Sequence, residues 1–346
     1  MSSIKLREMY EYLNSTYELG NLQDAIRSLL IVRNGYLIHE HYFSTLVNEN
    51  TSRNIFSCTK SVISTLIGIA IEEGYIGSVN DPVLSYFPNH SIQYRDTWKE
   101  SITIEDLLTM TSGFSWDESN YDDIENDYFQ MISSPNAVQY VLDRPMNNIP
   151  GSSWNYNTGN SHLLSAILDN VTEIGTGEFA QTRLFYPLGI GNPDWTLDKQ
   201  GIPYGGSNLI LKPRDMAKFG YLFLHNGTWD GNQIVSKEWI TAGTRGTEVA
   251  SFYGYQWWIE PTRSGFSARG YKGQYILVLP DNDMVIVFTG DSDTLLGLYQ
   301  TLIDQYIIPA IGYDAQLSTP LNTPFFAFPT ILTLGIFVVL RKRNAA

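Results

Sequence analysis

Cysteine is almost absent from this sequence: Cys58 is the only one in 346 residues. That excludes an internal disulfide framework and a thiolate metal cluster, and it leaves the redox compartment open. Positive charge is scarce as well. Against 36 Asp and Glu stand 22 Lys and Arg, a formal net charge of −14. The body of the chain holds no basic patch, so a nucleic-acid partner is not expected. Internal repeats and low-complexity stretches are missing too. The opening stretch "MSSIKLREMYEYLNSTYELG" has no apolar core and reads as an amphipathic helix, not as a secretory signal.

The other end has what the beginning lacks. Pro324 to Leu340 is an uncharged, mainly apolar run followed by Arg341, Lys342 and Arg343. Its length sits near the lower limit, about 17 residues, for a helix that crosses a bilayer. A basic cap of that kind belongs on the cytoplasmic side. The expectation is therefore a membrane partner: a C-terminal transmembrane helix within 324–346, a linker over 313–323, and an extracytoplasmic body over 1–312. The layout is similar to the C-terminal sorting signals of some surface proteins. The alternative is a tail helix docked on its own domain. N-x-S/T sequences at Asn14, Asn50, Asn89, Asn170 and Asn226 matter only if the chain reaches a glycosylating compartment.

Along the body, "SLLIVRNGYLIHEHYF" places Asn34-Gly35 between two apolar runs and predicts a hairpin with strands near 28–33 and 36–43. From Thr59 to Ile71 apolar residues cover every side of a helix, so that helix should be buried. Helical signals continue to about residue 200. Strand signals return in "FYGYQWWIE", "YILVLP" and "MVIVFTG", and a last helix fits Thr294 to Ile308. Hairpin-linked strands at both ends of the chain imply one antiparallel sheet closed across a large insertion. The predicted class is α+β, an antiparallel sheet flanked by helices, with a lobe from about 1–56 and 205–312 and an inserted helical lobe from about 57–204.

At the start of the buried helix stand Ser57 and, three residues on, Lys60. Burying an ammonium costs several kcal/mol unless the charge is paired or lost. The spacing puts both side chains on one face, and burial moves the amine toward its neutral, proton-accepting form. Free backbone N–H groups at the helix start favour developing negative charge. Ser2-Ser3-Ile4-Lys5 has the same spacing but opens a polar helix, where this chemistry is not expected.

Several ordered segments then carry a resemblance. They are "IFSCTKSVISTLIGIAIEEGYIGSVNDPVLSYFP", "ITIEDLLTMTSGFSWDE", "PGSSWNYNTGNSHLLSAIL", "FYPLGI", "LILKPRDMAKFGYLFLHNGTWDG" and "ARGYKGQYILVLPDNDMVIVF". From about residue 20 to 312 the chain resembles the serine beta-lactamase-related hydrolases, in their class C-like branch near the esterases and 6-aminohexanoate-dimer hydrolases. The resemblance implies a penicillin-recognising fold with the site between its two lobes and no cofactor. It implies Ser57 as nucleophile, Lys60 as its proton partner and Tyr156 as a second proton-transfer group, its phenol eased by the Lys60 charge. Many relatives have Tyr-x-Asn; here Tyr156-Asn157-Thr158 has threonine third, and Thr158 joins the expected substrate contacts. Where relatives have a Lys or His, then any residue, then Gly, this chain has Ala268-Arg269-Gly270, followed by Tyr271 and Gln274. Gly270 would admit the substrate, and the Tyr271 N–H would join that of Ser57 as an oxyanion hole. With the usual cation gone, Arg269 or Lys272 would have to replace it for carboxylate recognition.

The leading expectation is an acyl-enzyme serine hydrolase of a small ester or amide. A surface D-amino-acid peptidase, transpeptidase or beta-lactamase is the alternative, and below it a non-catalytic binding protein of the same fold. His39 and His41 share a strand face as a metal pair would, but no third ligand is apparent and no metal is expected. Cys58 reads as a buried small side chain. Trp116, Tyr121, Tyr128, Trp257 and Trp258 are candidates for the cleft wall or for plain core packing. Tyr12-Leu13-Asn14 matches Tyr-x-Asn without a role.

Overall fold

The computed structural model describes residues 2–16 and 25–311. The expected linker 313–323 and spanning segment 324–346 lie outside the described residues. Among the described residues no helix is long and apolar enough to cross a membrane.

The chain begins with helix α1 (Ser3–Thr16) and then forms the predicted hairpin, β1 (Ile26–Arg33) and β2 (Tyr36–Tyr42). Asn34 and Gly35 both have positive φ, 50° and 77°, the backbone a type I′ turn demands. The buried helix follows as α2 (Cys58–Glu72), with every residue from Cys58 to Ala70 out of solvent. Helix α3 (Thr158–Val171) packs on it inside a set of short helices, and α4 (Pro213–Leu224) returns the chain to the sheet. Strands β3 (Trp258–Glu260), β4 (Gly265–Gly270), β5 (Gln274–Leu279) and β6 (Met284–Gly290) and helix α5 (Leu295–Leu302) complete it. The expected last helix thus ends its regular part at Leu302 and continues as a wider turn over Ile303–Ile307.

The sheet is six-stranded and antiparallel, in the order β2-β1-β6-β5-β4-β3. Its first and last strands in sequence meet at β1 and β6, where Leu30 faces Val287 and Ile31 faces Ile286. Alternation sends Leu30, Val32, Ile276 and Val287 to the face that α2 and α4 cover, and Leu29, Ile31, Leu277 and Phe288 to the face that α1 and α5 cover. An α+β architecture with helices on both faces is what the two-ended strand signals predicted. One expected strand is shorter than its apolar run. "FYGYQWWIE" is strand only from Trp258, because Gln256 takes a left-handed φ of 62°. Gln256 is spent instead on cross-linking: its carbonyl accepts from Ser61 Oγ on α2 (2.7 Å) and its Oε1 from Ser161 Oγ on α3 (2.9 Å).

The edge of the sheet is arranged so that a cleft opens beside β4. β3 pairs only with Gly265, Phe266 and Ser267, so Ala268 to Gly270 extend past it. That stretch lies against the chain entering α2.

Candidate active site

Ser57 occupies the N-cap position of α2, where a serine hydroxyl ordinarily accepts a bond from the helix. Here it makes no such cap. Its Oγ instead accepts from Lys60 Nζ at 3.1 Å. Phe56, just before it, holds a φ of 46°, a strained conformation for a bulky residue, stabilised by its N–H bonding Asn54 Oδ1 at 2.7 Å. The segment is therefore bent sharply into the helix. Among the described residues, neither the Ser57 nor the Tyr271 N–H is spent in a backbone bond outside the regular elements.

Lys60 is buried, and its Nζ also donates to the Gly206 carbonyl at 2.9 Å and lies 4.8 Å from the centre of the Tyr156 ring. Burial pulls its amine down from 10.5 to about 8, against a smaller opposing pull from the Glu118 charge. The loop that presents Gly206 is itself fixed, since Trp195 Nε1 donates to the Tyr204 carbonyl at 3.0 Å. Near it, the buried His162 Nε2 meets Asp198 Oδ2 at 3.0 Å.

Tyr156 corrects one expectation. Its phenol is pushed up, not down: burial is the main cause, Glu118 adds to it, and the neighbouring Ser57 hydroxyl pulls the other way. The residue that sequence reasoning missed is Glu118. Its buried carboxylate accepts from Trp116 Nε1 (2.6 Å) and Thr158 N (2.7 Å) at one oxygen, and from Thr158 Oγ1 (2.7 Å) and Tyr121 OH (2.9 Å) at the other. Thr158 is thereby turned into Glu118 and away from a substrate contact, a correction to its expected place. The only sequence signal for Glu118 was an acidic residue inside a segment that already looked functional.

The other expected contacts divide. Arg269 follows the strand alternation to the sheet face opposite Ala268. There its Nη2 pairs with Glu260 Oε1 at 2.7 Å, and its guanidinium lies 5.0 Å from the Trp258 ring centre. Lys272 pairs with Asp291 at 3.2 Å. Both cations are thus engaged with acidic side chains. Gln274 is buried and donates to the Gly290 carbonyl at 2.8 Å, tying β5 to the end of β6 instead of facing the cleft. Tyr271 remains at the mouth, its ring on Phe56 (5.6 Å) and Tyr121 (5.5 Å). Gly270 has an extended backbone, and the chain that approaches it is its own: a Cβ there would sit 2.3 Å from the Ile55 carbonyl oxygen. Gly270→Ala must therefore displace the backbone at Ile55, just ahead of Ser57. Its kcat/KM is expected to fall by about 100-fold, the scale of a small misplacement of reacting groups. An alanine variant within twofold of wild type on an activated ester would refute that reading.

A cavity of about 380 Å³ opens beside Tyr156, walled by Tyr121, Trp154 and Trp258 with Asp117 and Glu118. Trp257, by contrast, is wholly core, against Phe219 and Phe223. Trp116 is buried behind Glu118, and Tyr128 OH meets Ser207 Oγ at 3.2 Å. Cys58 is buried, its Sγ on the Gln274 carbonyl at 3.6 Å and its thiol pushed up by burial. His39 bonds Tyr10 OH through Nε2 at 2.7 Å, and burial holds its imidazole down to about 4. Among the described residues no group of His, Cys, Asp and Glu is placed to hold a metal.

Residues 26–297 match a protein-family model described as Beta-lactamase. The 6-aminohexanoate-dimer hydrolase of Paenarthrobacter ureafaciens is 23% identical over 284 residues, which cover 75% of this chain and 71% of that protein. Among solved structures, a provisionally named 6-aminohexanoate-dimer hydrolase of Bacillus anthracis superposes with a TM-score of 0.73 at 24% identity, over 87% of this chain and 81% of that one. EstCE1, a hydrolase with promiscuous acyltransferase activity, gives 0.70 at 14% identity, over 90% and 100%. At such identities the structural likeness shows the fold.

Proposed function

The chain belongs to the beta-lactamase family, and from that premise we propose that it hydrolyses a small ester or amide through an acyl-enzyme on Ser57. The observation that carries the reading is the Ser57 hydroxyl held at 3.1 Å by a buried amine whose proton affinity is lowered. Ser57 Oγ attacks the carbonyl carbon as its proton passes to Lys60 Nζ. The Ser57 and Tyr271 N–H groups hold the oxyanion, a contribution of a few kcal/mol, about 3 for a single donor. Collapse of the tetrahedral intermediate breaks the bond to the leaving group, which takes a proton from Tyr156. A phenol raised by burial stays neutral and can donate. Lys60 passes the proton taken from Ser57 to the Tyr156 phenolate, which restores the neutral amine and the phenol. Water then attacks the acyl carbonyl carbon as its proton passes to Lys60, and the bond to Ser57 Oγ breaks as Oγ takes that proton, freeing the acid.

Arg269 and Lys272 both stand in ion pairs with acidic side chains, which favours an uncharged or cationic ester or amide over a beta-lactam or a peptide carboxylate. The direct test is intact-mass analysis after brief mixing with an activated short-chain ester, followed by peptide mapping. An added acyl group on Ser57 is expected; labelling elsewhere, or none in folded protein, would favour the binding-protein alternative.

The pH dependence has a definite sign. Lys60 accepts a proton only as the neutral amine, so kcat/KM should rise with pH and reach half its maximum near about 8. Below that it should fall about tenfold for each pH unit. A flat profile between about pH 6 and 9, read on a substrate that does not itself titrate, would remove Lys60 from the role of base.

A further inference from the structure

We propose that the cavity beside Tyr156 seats an ammonium group, so that the preferred ester or amide carries a positive charge close to its reacting bond. The inference rests on the hydrolase reading for its reaction, but its binding part stands on the lining of the cavity. Two carboxylates, Asp117 and Glu118, and four aromatic rings, Tyr121, Trp154, Tyr156 and Trp258, form its walls, and among the described residues no basic side chain lines it. Aromatic faces beside carboxylates attract desolvated ammonium groups and repel carboxylates.

Three features make the negative charge available. Among the described residues, the four hydrogen bonds to Glu118 come from uncharged donors, so they orient the carboxylate without neutralising it. Asp117 is exposed, and its Oδ1 receives only the Ser119 N–H and hydroxyl among the described residues. The interior cation that feels the Glu118 charge is Lys60, and it loses its own charge in the form that can act as a base. A substrate cation would then restore the balance at the moment the site becomes competent. Trp258 already takes one guanidinium over its ring at 5.0 Å, that of Arg269, whose charge Glu260 accepts at 2.7 Å.

The test separates binding from turnover. In Ser57→Ala, calorimetry would compare choline with its uncharged isostere 3,3-dimethylbutan-1-ol and with 3,3-dimethylbutanoate. Choline is expected to bind about tenfold more tightly than the alcohol, the scale of a partly desolvated cation–aromatic contact. The carboxylate should bind worst, and Asp117→Asn should shrink the choline preference without changing the alcohol. Equal binding of choline and alcohol, or tighter binding of the carboxylate, would overturn the proposal. In wild type, acetylcholine and 3,3-dimethylbutyl acetate differ only in that charge. A choline preference in binding with neither ester cleaved would keep the ammonium site and sink the hydrolase reading. Cleavage of both at equal kcat/KM would do the reverse.

Discussion

Lys60→Met is expected to give a protein that is more stable than wild type and has lost nearly all its hydrolytic activity. The amine is buried, and among the described residues its Nζ meets only the Ser57 hydroxyl, the Gly206 carbonyl and the Tyr156 ring, with no paired carboxylate. Its value falls from 10.5 to about 8 because the folded protein binds that proton less well than the unfolded chain does. A difference of this size corresponds to about 3 kcal/mol of lost stability at neutral pH. The sign follows from linkage. The penalty is fully present below the folded value, about 8, and disappears as pH rises through the free-amine value of 10.5. Methionine is close in volume and adapts to irregular space, so the variant should gain about 1 to 3 kcal/mol at pH 7 and roughly half as much at pH 9.5.

Activity moves the opposite way. Removing a general base costs about 100 to 10,000-fold, and loss of a nucleophile costs at least as much. Ser57→Ala should therefore be as inactive as Lys60→Met but without its gain in stability. The double variant should be no slower than the worse single, because the two groups act as one unit. Denaturant midpoints at the two pH values, with ester hydrolysis alongside, decide the matter. A Lys60→Met protein that is less stable than wild type, or within tenfold of its activity, would mean that the amine serves packing.

The parts of this arrangement that were legible in the sequence are those that act locally. Asn34-Gly35 specifies its turn through the backbone of two adjacent residues, and the run from Thr59 to Ile71 shows its burial in its own composition. Ser57 and Lys60 meet because one turn of helix brings them together. What was not legible depends on segments far apart in the chain. Glu118 grips Thr158 forty residues on, Gly206 reaches back to Lys60, and Gln256 joins α2 to α3; none of these contacts leaves a period or spacing to read. Arg269 is a different case. Ala268 and Arg269 are neighbours on a strand and must point to opposite faces, so the alternation already argued that both could not serve the same cleft. The strand β4 itself was hidden, because Gly265, Ser267, Arg269 and Gly270 carry little strand preference and only the resemblance marked it.

Glu118→Gln carries the other large effect, and it distinguishes positioning from plain structural support. A carboxylate offers acceptors to all four donors; an amide keeps one oxygen and turns its NH2 toward the rest. The two fixed N–H groups, Trp116 Nε1 and Thr158 N, claim the remaining oxygen, while the Thr158 and Tyr121 hydroxyls can rotate away. The variant should therefore fold, less stable by about 2 kcal/mol, the scale of losing bonds to a charged group. Its catalytic defect should be larger, about 100-fold in kcat/KM, because Thr158 begins α3 directly after the Tyr156-Asn157 pair and is no longer held. The charge leaves its own signature. Glu118 raises both the Lys60 amine and the Tyr156 phenol, so its removal should move the rising limb of the pH profile below the wild-type midpoint and make the phenol easier to ionise. A purely structural residue would lower activity without moving that limb. If Glu118→Gln keeps the wild-type midpoint while losing rate, the carboxylate only holds the loop; if the midpoint falls, it also sets the proton affinity of the base.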